Sequence, residues 1–225
     1  MAPHAFSPSS KSRLTKRDLG RFSGRTLFDR IGRAVCHAGC LPRKELYEAW
    51  EVARRTRRLF RGGRIVDLAA GHGLLAHILL LLDDSSPSGL AVDVTVPRSS
   101  AKLQRALTDS WPRLAYRVAT VEGAIESVEL GPDDVVVSSH ACGALTDLIL
   151  ERATAAGARV AVLPCCQDLA VCDAGQLTGW LGGPLAVDVR RALRLEQQGY
   201  RVWTQTIPPE ITPKNRLLLA APVVF

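Results

Sequence analysis

The stretch RIVDLAAGHGLLA, residues 64–76, sets the architecture of the chain. Residues 64–69 read as a short apolar strand, and a turn with Gly71 and Gly73 follows and opens a helix. Glycines let the main chain approach a ligand closely, and the first turn of a helix leaves N–H groups free to bind it. Such a turn also fits nucleotide-binding and purely structural strand-to-helix connections, so its neighbours have to narrow the choice.

Outward from that turn, short runs rich in β-branched and apolar residues recur: 89–94, 114–119, 134–139, 159–164, 200–207 and 215–223. Counted from 64–69, the first five runs, ending with 159–164, are separated mostly by helix-compatible segments. Continuous apolar strands joined by helices predict a parallel sheet covered on both faces. Only PPEITPK (208–214) separates the last two, too little for a helical crossover, so they should pair antiparallel. A mostly parallel, seven-stranded α/β sheet ending in an antiparallel hairpin resembles the Rossmann-like class I methyltransferase fold. Upstream, 24–36 and 42–60 read as helices, and the aperiodic Ser, Pro, Lys and Arg mixture before them as a disordered basic arm. The expected division is arm 1–22, helical extension 23–61 and main domain 62–225.

Charge is unevenly placed. Residues 1–64 hold sixteen Lys and Arg against five Asp and Glu, a balance of +11, and the remainder carries −4. A basic region on a mildly acidic core is the electrostatic footprint of a polyanion-binding protein, and RNA is the expected partner, with Arg54, Arg55, Arg57 and Arg58 as contacts. A solvated, solubility-promoting surface is the alternative. The start lacks an apolar signal segment, and the longest apolar run, Ile78 to Leu82, is too short to span a bilayer, so a cytoplasmic protein with reduced cysteines is expected.

Asp67 lies at the end of the first strand and Asp93 at the end of the second, twenty residues after Gly73, where a carboxylate can accept from ribose hydroxyls. The turn resembles the methyltransferase motif with an acidic residue and spaced glycines, with Ala69 standing for the first glycine and expected to keep φ below zero. That resemblance implies S-adenosylmethionine as cofactor, Asp67 orienting its amino-acid end, and Glu122 and Ala124, just past the third strand, near its adenine. An exposed helix-start carboxylate is the other reading of Glu122.

Two further segments, SSHACGALTD (138–147) and LPCCQD (163–168), follow the fourth and fifth strands, so His140, Cys142, Cys165 and Cys166 should meet on the rim that carries the cofactor. The H-x-C-G-x-x-T-D segment and Cys-Cys pair resemble the family that includes acceptor-stem tRNA 2′-O-methyltransferases and the methyltransferase region of glutathione S-transferase C-terminal-domain-containing proteins. The likeness covers roughly residues 62–170, with an echo at 211–220. Gln167 and Asp168 stand where those tRNA enzymes tend to carry histidines, and their zinc-binding N-terminal fingers are absent.

On this basis the chain is expected to transfer a methyl group directly to RNA, tRNA or rRNA, with His140 beside the cofactor as general base taking the proton of a hydroxyl or amine. His140 also fits a loop-capping role. Cys142 and Cys166 are candidate catalytic residues, either as nucleophile in a cytosine-type mechanism or, alternatively, as small buried thiols packed beneath the donor. Lys214, before the last strand, is a candidate for a phosphate or ribose-hydroxyl contact. No metal is expected, although Cys36, His37 and Cys40, with Cys172, spell part of a zinc site. A protein or small-molecule acceptor, or a non-catalytic cofactor-binding module, are the alternatives.

Overall fold

The computed structural model describes residues 6–223. Its strands are Ile65–Leu68 (β1), Gly89–Asp93 (β2), Val118–Glu122 (β3), Val135–Ser138 (β4), Arg159–Val162 (β5), Tyr200–Thr206 (β6) and Arg216–Pro222 (β7). Its helices are Leu27–Ala38 (α1), Arg43–Leu59 (α2), Leu74–Leu82 (α3), Ser100–Ser110 (α4), Ala144–Ala155 (α5) and Gly183–Gln197 (α6). The strands form one sheet in the order β3-β2-β1-β4-β5-β7-β6, with β1 to β5 parallel and β7 antiparallel to both its neighbours. The expected α/β architecture is therefore present. Every residue of β1 and β4 is buried, as strands covered on both faces require.

The third strand is displaced from its expected place. Residues 114–119 contain the end of a 3-10 turn at Pro112–Leu114 and a reversal at Tyr116, whose φ is 62°, so β3 starts only at Val118. Proline-initiated turn chemistry overrides the β-branched pattern there.

One apolar core lies on the sheet face covered by α1 to α4, and a second lies under α5 and α6. Leu14, Phe22, Ile31 and Leu46 of the N-terminal region share the first core with Leu75, Ile78 and Val135, so the helical extension packs as part of the fold. The expectation of a disordered arm does not hold for residues 6–22, and residues 1–5 lie outside the described residues. Thr15 and Asp18 form a reciprocal cap on the 3-10 helix Lys16–Phe22, Arg13 bridges to Pro42, and Leu14 and Phe22 are buried. Burying those two side chains contributes about 1.5–3 kcal/mol each, which offsets the ordering of a segment that looks polar in one dimension. Thr26 and Asp29 cap α1 in the same way, and Gly39 ends it in the left-handed region.

Among the described residues, no helix is long and apolar enough to cross a membrane.

Candidate active site

At the carboxyl ends of β1, β2, β3 and β4 a cavity of about 610 Å³ opens, within the range of small-molecule sites. The turn after β1 supplies Ala69, Gly71 and His72, and Asp93 ends β2 beside it. Ile125 and Glu126 follow β3, and Ser139, His140 and Leu145 follow β4. Leu41, Glu45 and Ala49 close it from the N-terminal helices.

The turn is held in an unusual backbone state. Gly71 and Gly73 have φ of 52° and 74°, and a Cβ on Gly73 would come within 3.0 Å of the Ala91 Cβ, so glycine is required there by conformation and by space. Ala69 also has φ of 55°, contrary to the expectation of a negative value. Tight closure of the turn accounts for it: the Ala70 N–H donates to Val92 O and the Gly73 N–H to Ala70 O, leaving Ala69 to make the reversal. His77, buried on α3, uses its Nδ1 against the Gly73 carbonyl at 2.7 Å and braces the turn from behind.

The two aspartates have different tasks. Asp93 lines the cavity while its Oδ2 accepts the Gly71 N–H at 2.8 Å and its Oδ1 the Thr95 N–H at 3.2 Å, so one side chain both fixes the turn and borders the cavity. Asp67 is buried beneath the turn and outside the cavity wall. Its Oδ2 accepts the Ala76 N–H at 3.3 Å, and its Oδ1 has no partner. Burial pushes the Asp67 carboxyl up to about 8, with Asp93 adding to the rise and the Ala76 N–H opposing it.

Glu122 closes β3 rather than following it, and its Oε2 accepts the Val96 N–H at 3.0 Å, tying together the loops after β2 and β3. Neither Glu122 nor Ala124 lines the cavity. Ala124 instead caps the 3-10 turn Ile125–Ser127, which delivers Ile125 and Glu126 to the wall.

The walls suit a cationic nucleoside. Glu45, Asp93 and Glu126 line the cavity, with no lysine or arginine in the wall among the described residues. Burial, reinforced by Glu48, raises the Glu45 carboxyl above its usual range, so a bound cation would relieve an unfavourable charge there. Ile125 and Leu145 offer apolar faces for a base, Asp93 an acceptor for ribose hydroxyls, and Asp67 an unused buried oxygen under the turn.

His140 stands in the cavity wall, and the residue as a whole is exposed. Crowding by the surrounding protein lowers its basicity below the ordinary histidine value, which keeps the imidazole neutral and able to accept a proton near neutral pH. Glu48 and Asp93 pull in the opposite direction. His72, the second histidine of the wall, is engaged with Ser99 Oγ at 2.9 Å.

The rim thiols meet as expected, but they are not buried beneath the cavity. Cys142 is exposed, Cys165 and Cys166 are half-buried, and none lines the cavity. The Cys142 and Cys165 sulfurs are 2.8 Å apart, and the Lys214 Nζ donates to Cys166 Sγ at 3.3 Å. Lys214 is therefore committed to a thiol rather than to the cavity. Hydrogen bonds from Cys142 and then Lys214 lower the Cys166 thiol, whereas burial and the neighbouring sulfurs raise Cys165. Gly143 N–H donates to Cys166 O at 3.0 Å, locking the loop after β4 to the loop after β5. Below them Arg191 is buried and bonds Asp147 Oδ2 at 2.7 Å and the Gly143 carbonyl at 2.9 Å. Thr146 and Asp147 of the motif thus have structural partners, Thr146 Oγ1 donating to Ala141 O at 2.7 Å.

Cys36, His37, Cys40 and Cys172 do not assemble into one site. Cys36 and Cys40 lie in the N-terminal core, where burial pushes the Cys36 thiol up to about 12, and Cys172 sits against Arg191 at 3.7 Å.

The expected RNA contacts on α2 are mostly occupied. Arg54 and Arg55 pair with Glu51, and Arg58 is exposed. Arg57 is buried, pairs with Asp83 at 3.3 Å, and donates to Leu79 O at 3.1 Å and Ser86 Oγ at 2.7 Å. Its position between α2 and α3 makes it a structural cation, a correction to its assignment as a nucleic-acid contact. A different, mostly basic surface is present: Lys16, His37, Lys102 and Arg105, with one acid, Asp109, line a cleft between the N-terminal turn and α4. Among the described residues, Lys16, Lys102 and Arg105 form no ion pair.

Sequence reasoning missed Leu41, Glu45 and Ala49 as cavity residues. Their signal was present but ambiguous: Glu45 and Ala49 are four residues apart on one helical face, next to the core-forming Leu46, Trp50 and Ala53.

A family model described as a methyltransferase domain matches residues 45–173, more than half of the chain, and the chain belongs to that family. S-adenosylmethionine is its methyl donor, and the cavity chemistry described above fits it. No curated protein sequence matches the chain. The fold is similar to an O-methyltransferase family protein from Burkholderia thailandensis, with a TM-score of 0.52 and 18% identity over 91% of this chain and 62% of the other. It is also similar to the B. subtilis M1A22 tRNA methyltransferase TrmK, with a TM-score of 0.50 and 16% identity over 77% and 65% of the two chains. A third similar fold is the candidate RNA methyltransferase PH1948 from Pyrococcus horikoshii, with a TM-score of 0.50 and 16% identity over 92% and 96%. The chain thus spans about 62% of the first of these structures and nearly all of the third.

Proposed function

We propose that the chain methylates RNA, with the Lys16–Lys102–Arg105 cleft holding the phosphate backbone and the neighbouring cavity holding the methyl donor. The observation that carries this reading is a cleft lined by Lys16, Lys102 and Arg105, none of them in an ion pair among the described residues, in a chain whose donor cavity is lined by acids. Surface cations satisfied by carboxylates contribute little to polyanion binding, whereas unpaired ones release counterions on binding and gain affinity from it. Similar folds include proteins described as acting on tRNA and RNA, in keeping with this reading at the level of fold.

When bound, S-adenosylmethionine supplies a sulfonium-activated methyl group. The chain's own residues then position and deprotonate the acceptor. His140, in the cavity wall with its basicity lowered by burial, would take the proton of an incoming hydroxyl as that oxygen is methylated. Most of the rate gain comes from holding acceptor and methyl group in line. The resemblance to acceptor-stem tRNA 2′-O-methyltransferases makes a ribose 2′-hydroxyl the first acceptor to examine.

The test is incubation of the whole chain with label-bearing methyl donor and, separately, RNA, protein and metabolite fractions. Label entering RNA, with affinity that weakens in Lys16→Ala, Lys102→Ala and Arg105→Ala, supports the proposal. Label confined to protein or metabolites overturns the acceptor, and donor binding without any transfer overturns catalysis.

A further inference from the structure

The loops after β4 and β5 bring three cysteine sulfurs together outside the donor cavity, all within 4.8 Å of one another. No other group of three metal-capable side chains forms among the described residues. Two of the sulfurs come from adjacent residues on one loop and the third from the other loop. The Gly143–Cys166 backbone bond fixes the loops relative to each other, and Arg191 supports the Gly143 carbonyl from below. The cluster is therefore built on braced backbone. We propose that Cys142, Cys165 and Cys166 bind a single Zn2+ ion, with the fourth coordination position open.

Distances and charge both support this. Zn–S bonds of about 2.3 Å in a tetrahedral site put sulfurs roughly 3.8 Å apart, inside the observed spread. Cys142, at 2.8 Å from Cys165, has to swing outward by about 1 Å, and its exposure leaves it free to do so. Three thiolates around a divalent ion leave one net negative charge, which the Lys214 ammonium against Cys166 neutralises. No histidine or carboxylate completes the group, so the fourth position is left to water or to an incoming acceptor, the pattern of an open rather than a closed zinc site. Binding replaces each thiol proton with the metal and releases that proton to solvent, with no change of oxidation state. The ion clamps two loops of the rim, one of which carries His140.

The test uses the full chain, reduced and stripped of metal, titrated with Co2+ as a spectroscopic stand-in. The expected result is one equivalent bound with a thiolate-to-cobalt charge-transfer band, displaced by Zn2+. Cys142→Ser, Cys165→Ser and Cys166→Ser should each weaken binding by at least about tenfold, the loss of one ligand bond. Cys172→Ala should leave it unchanged. On the unsubstituted chain, Zn2+ should protect these three cysteines, and no others, from alkylation as read by peptide mass, a result that does not depend on variant folding. Absence of the band, a band that survives loss of Cys165 and Cys166 together, or protection only of Cys36 and Cys40 overturns the proposal. So does a reduced protein that takes no ion but joins Cys142 to Cys165 on mild oxidation, which makes the cluster a redox pair.

Discussion

Asp67→Asn should stabilise the protein near neutral pH. The carboxyl is buried, one of its oxygens is without a partner, and burial pushes its pKa up to about 8 from an ordinary aspartate value of 3.8. A raised folded-state value on an acid means that folding takes up a proton between those two pH values. Stability is thus fullest below pH 3.8 and falls as pH rises toward 8. At pH 7.5 the difference amounts to nearly four pKa units, or about 5 kcal/mol at 1.36 kcal/mol per unit. Asparagine removes that ionisation while keeping an acceptor for the Ala76 N–H, but it buries an NH2 group with no partner, which costs about 1–3 kcal/mol. The net gain is about 2–4 kcal/mol at pH 7.5, equivalent to roughly 5–15 °C in melting temperature for a chain of this size. At pH 5 only about 1–2 kcal/mol of the ionisation penalty remains, and the amide cost cancels it. Thermal unfolding followed by circular dichroism at both pH values checks this. Equal melting shifts at pH 5 and pH 7.5, or destabilisation at both, would refute the account of a carboxyl whose ionisation is opposed by burial under the turn.

Ala69→Gly relieves a left-handed alanine at a cost in unfolded-state entropy, and a gain of about 0.5–1 kcal/mol in thermal unfolding is expected. Arg57→Met leaves Asp83 without its buried partner and should destabilise by about 3–5 kcal/mol in chemical denaturation. RNA affinity per folded molecule should stay unchanged, since Arg57 is buried. Because His140 is depressed below the ordinary histidine value, the acidic limb of kcat/KM should fall below pH 6.5 and disappear in His140→Asn, and a limb above that value removes it as the proton acceptor. In filter binding, Lys102→Ala with Arg105→Ala should reduce the slope of log affinity against log salt by roughly 2.

The sheet was legible because its signal is one-dimensional. Apolar runs at β1, β2, β4 and β5 separated by helical segments impose a parallel order, and PPEITPK is too short for anything but a hairpin. The rim was legible for the same reason: once His140 and Cys166 follow adjacent parallel strands, topology brings them to one edge. Contacts set by three-dimensional packing were not legible. Leu14 and Phe22 sit among Ser, Lys and Arg, yet both are buried, and Arg57 looks like its neighbour Arg58 until its reach to Leu79 and Ser86 is seen. Ala69 shows the limit for local conformation, because the closure of the glycine turn, set by its bonds to β2, forces a backbone state that alanine alone disfavours. Glu45 was hidden because a single helix face serves both core and cavity.

Isothermal calorimetry of the whole chain with S-adenosylmethionine tests most directly whether the cavity after β1 and β2 is the donor site. One site per chain is expected, with affinity at least about tenfold weaker in Asp93→Ala, which loses a charged hydrogen-bond acceptor worth about 1.5–3 kcal/mol, and unaltered in Lys102→Ala. No heat of binding, or equal affinity with and without the Asp93 carboxylate, would contradict it.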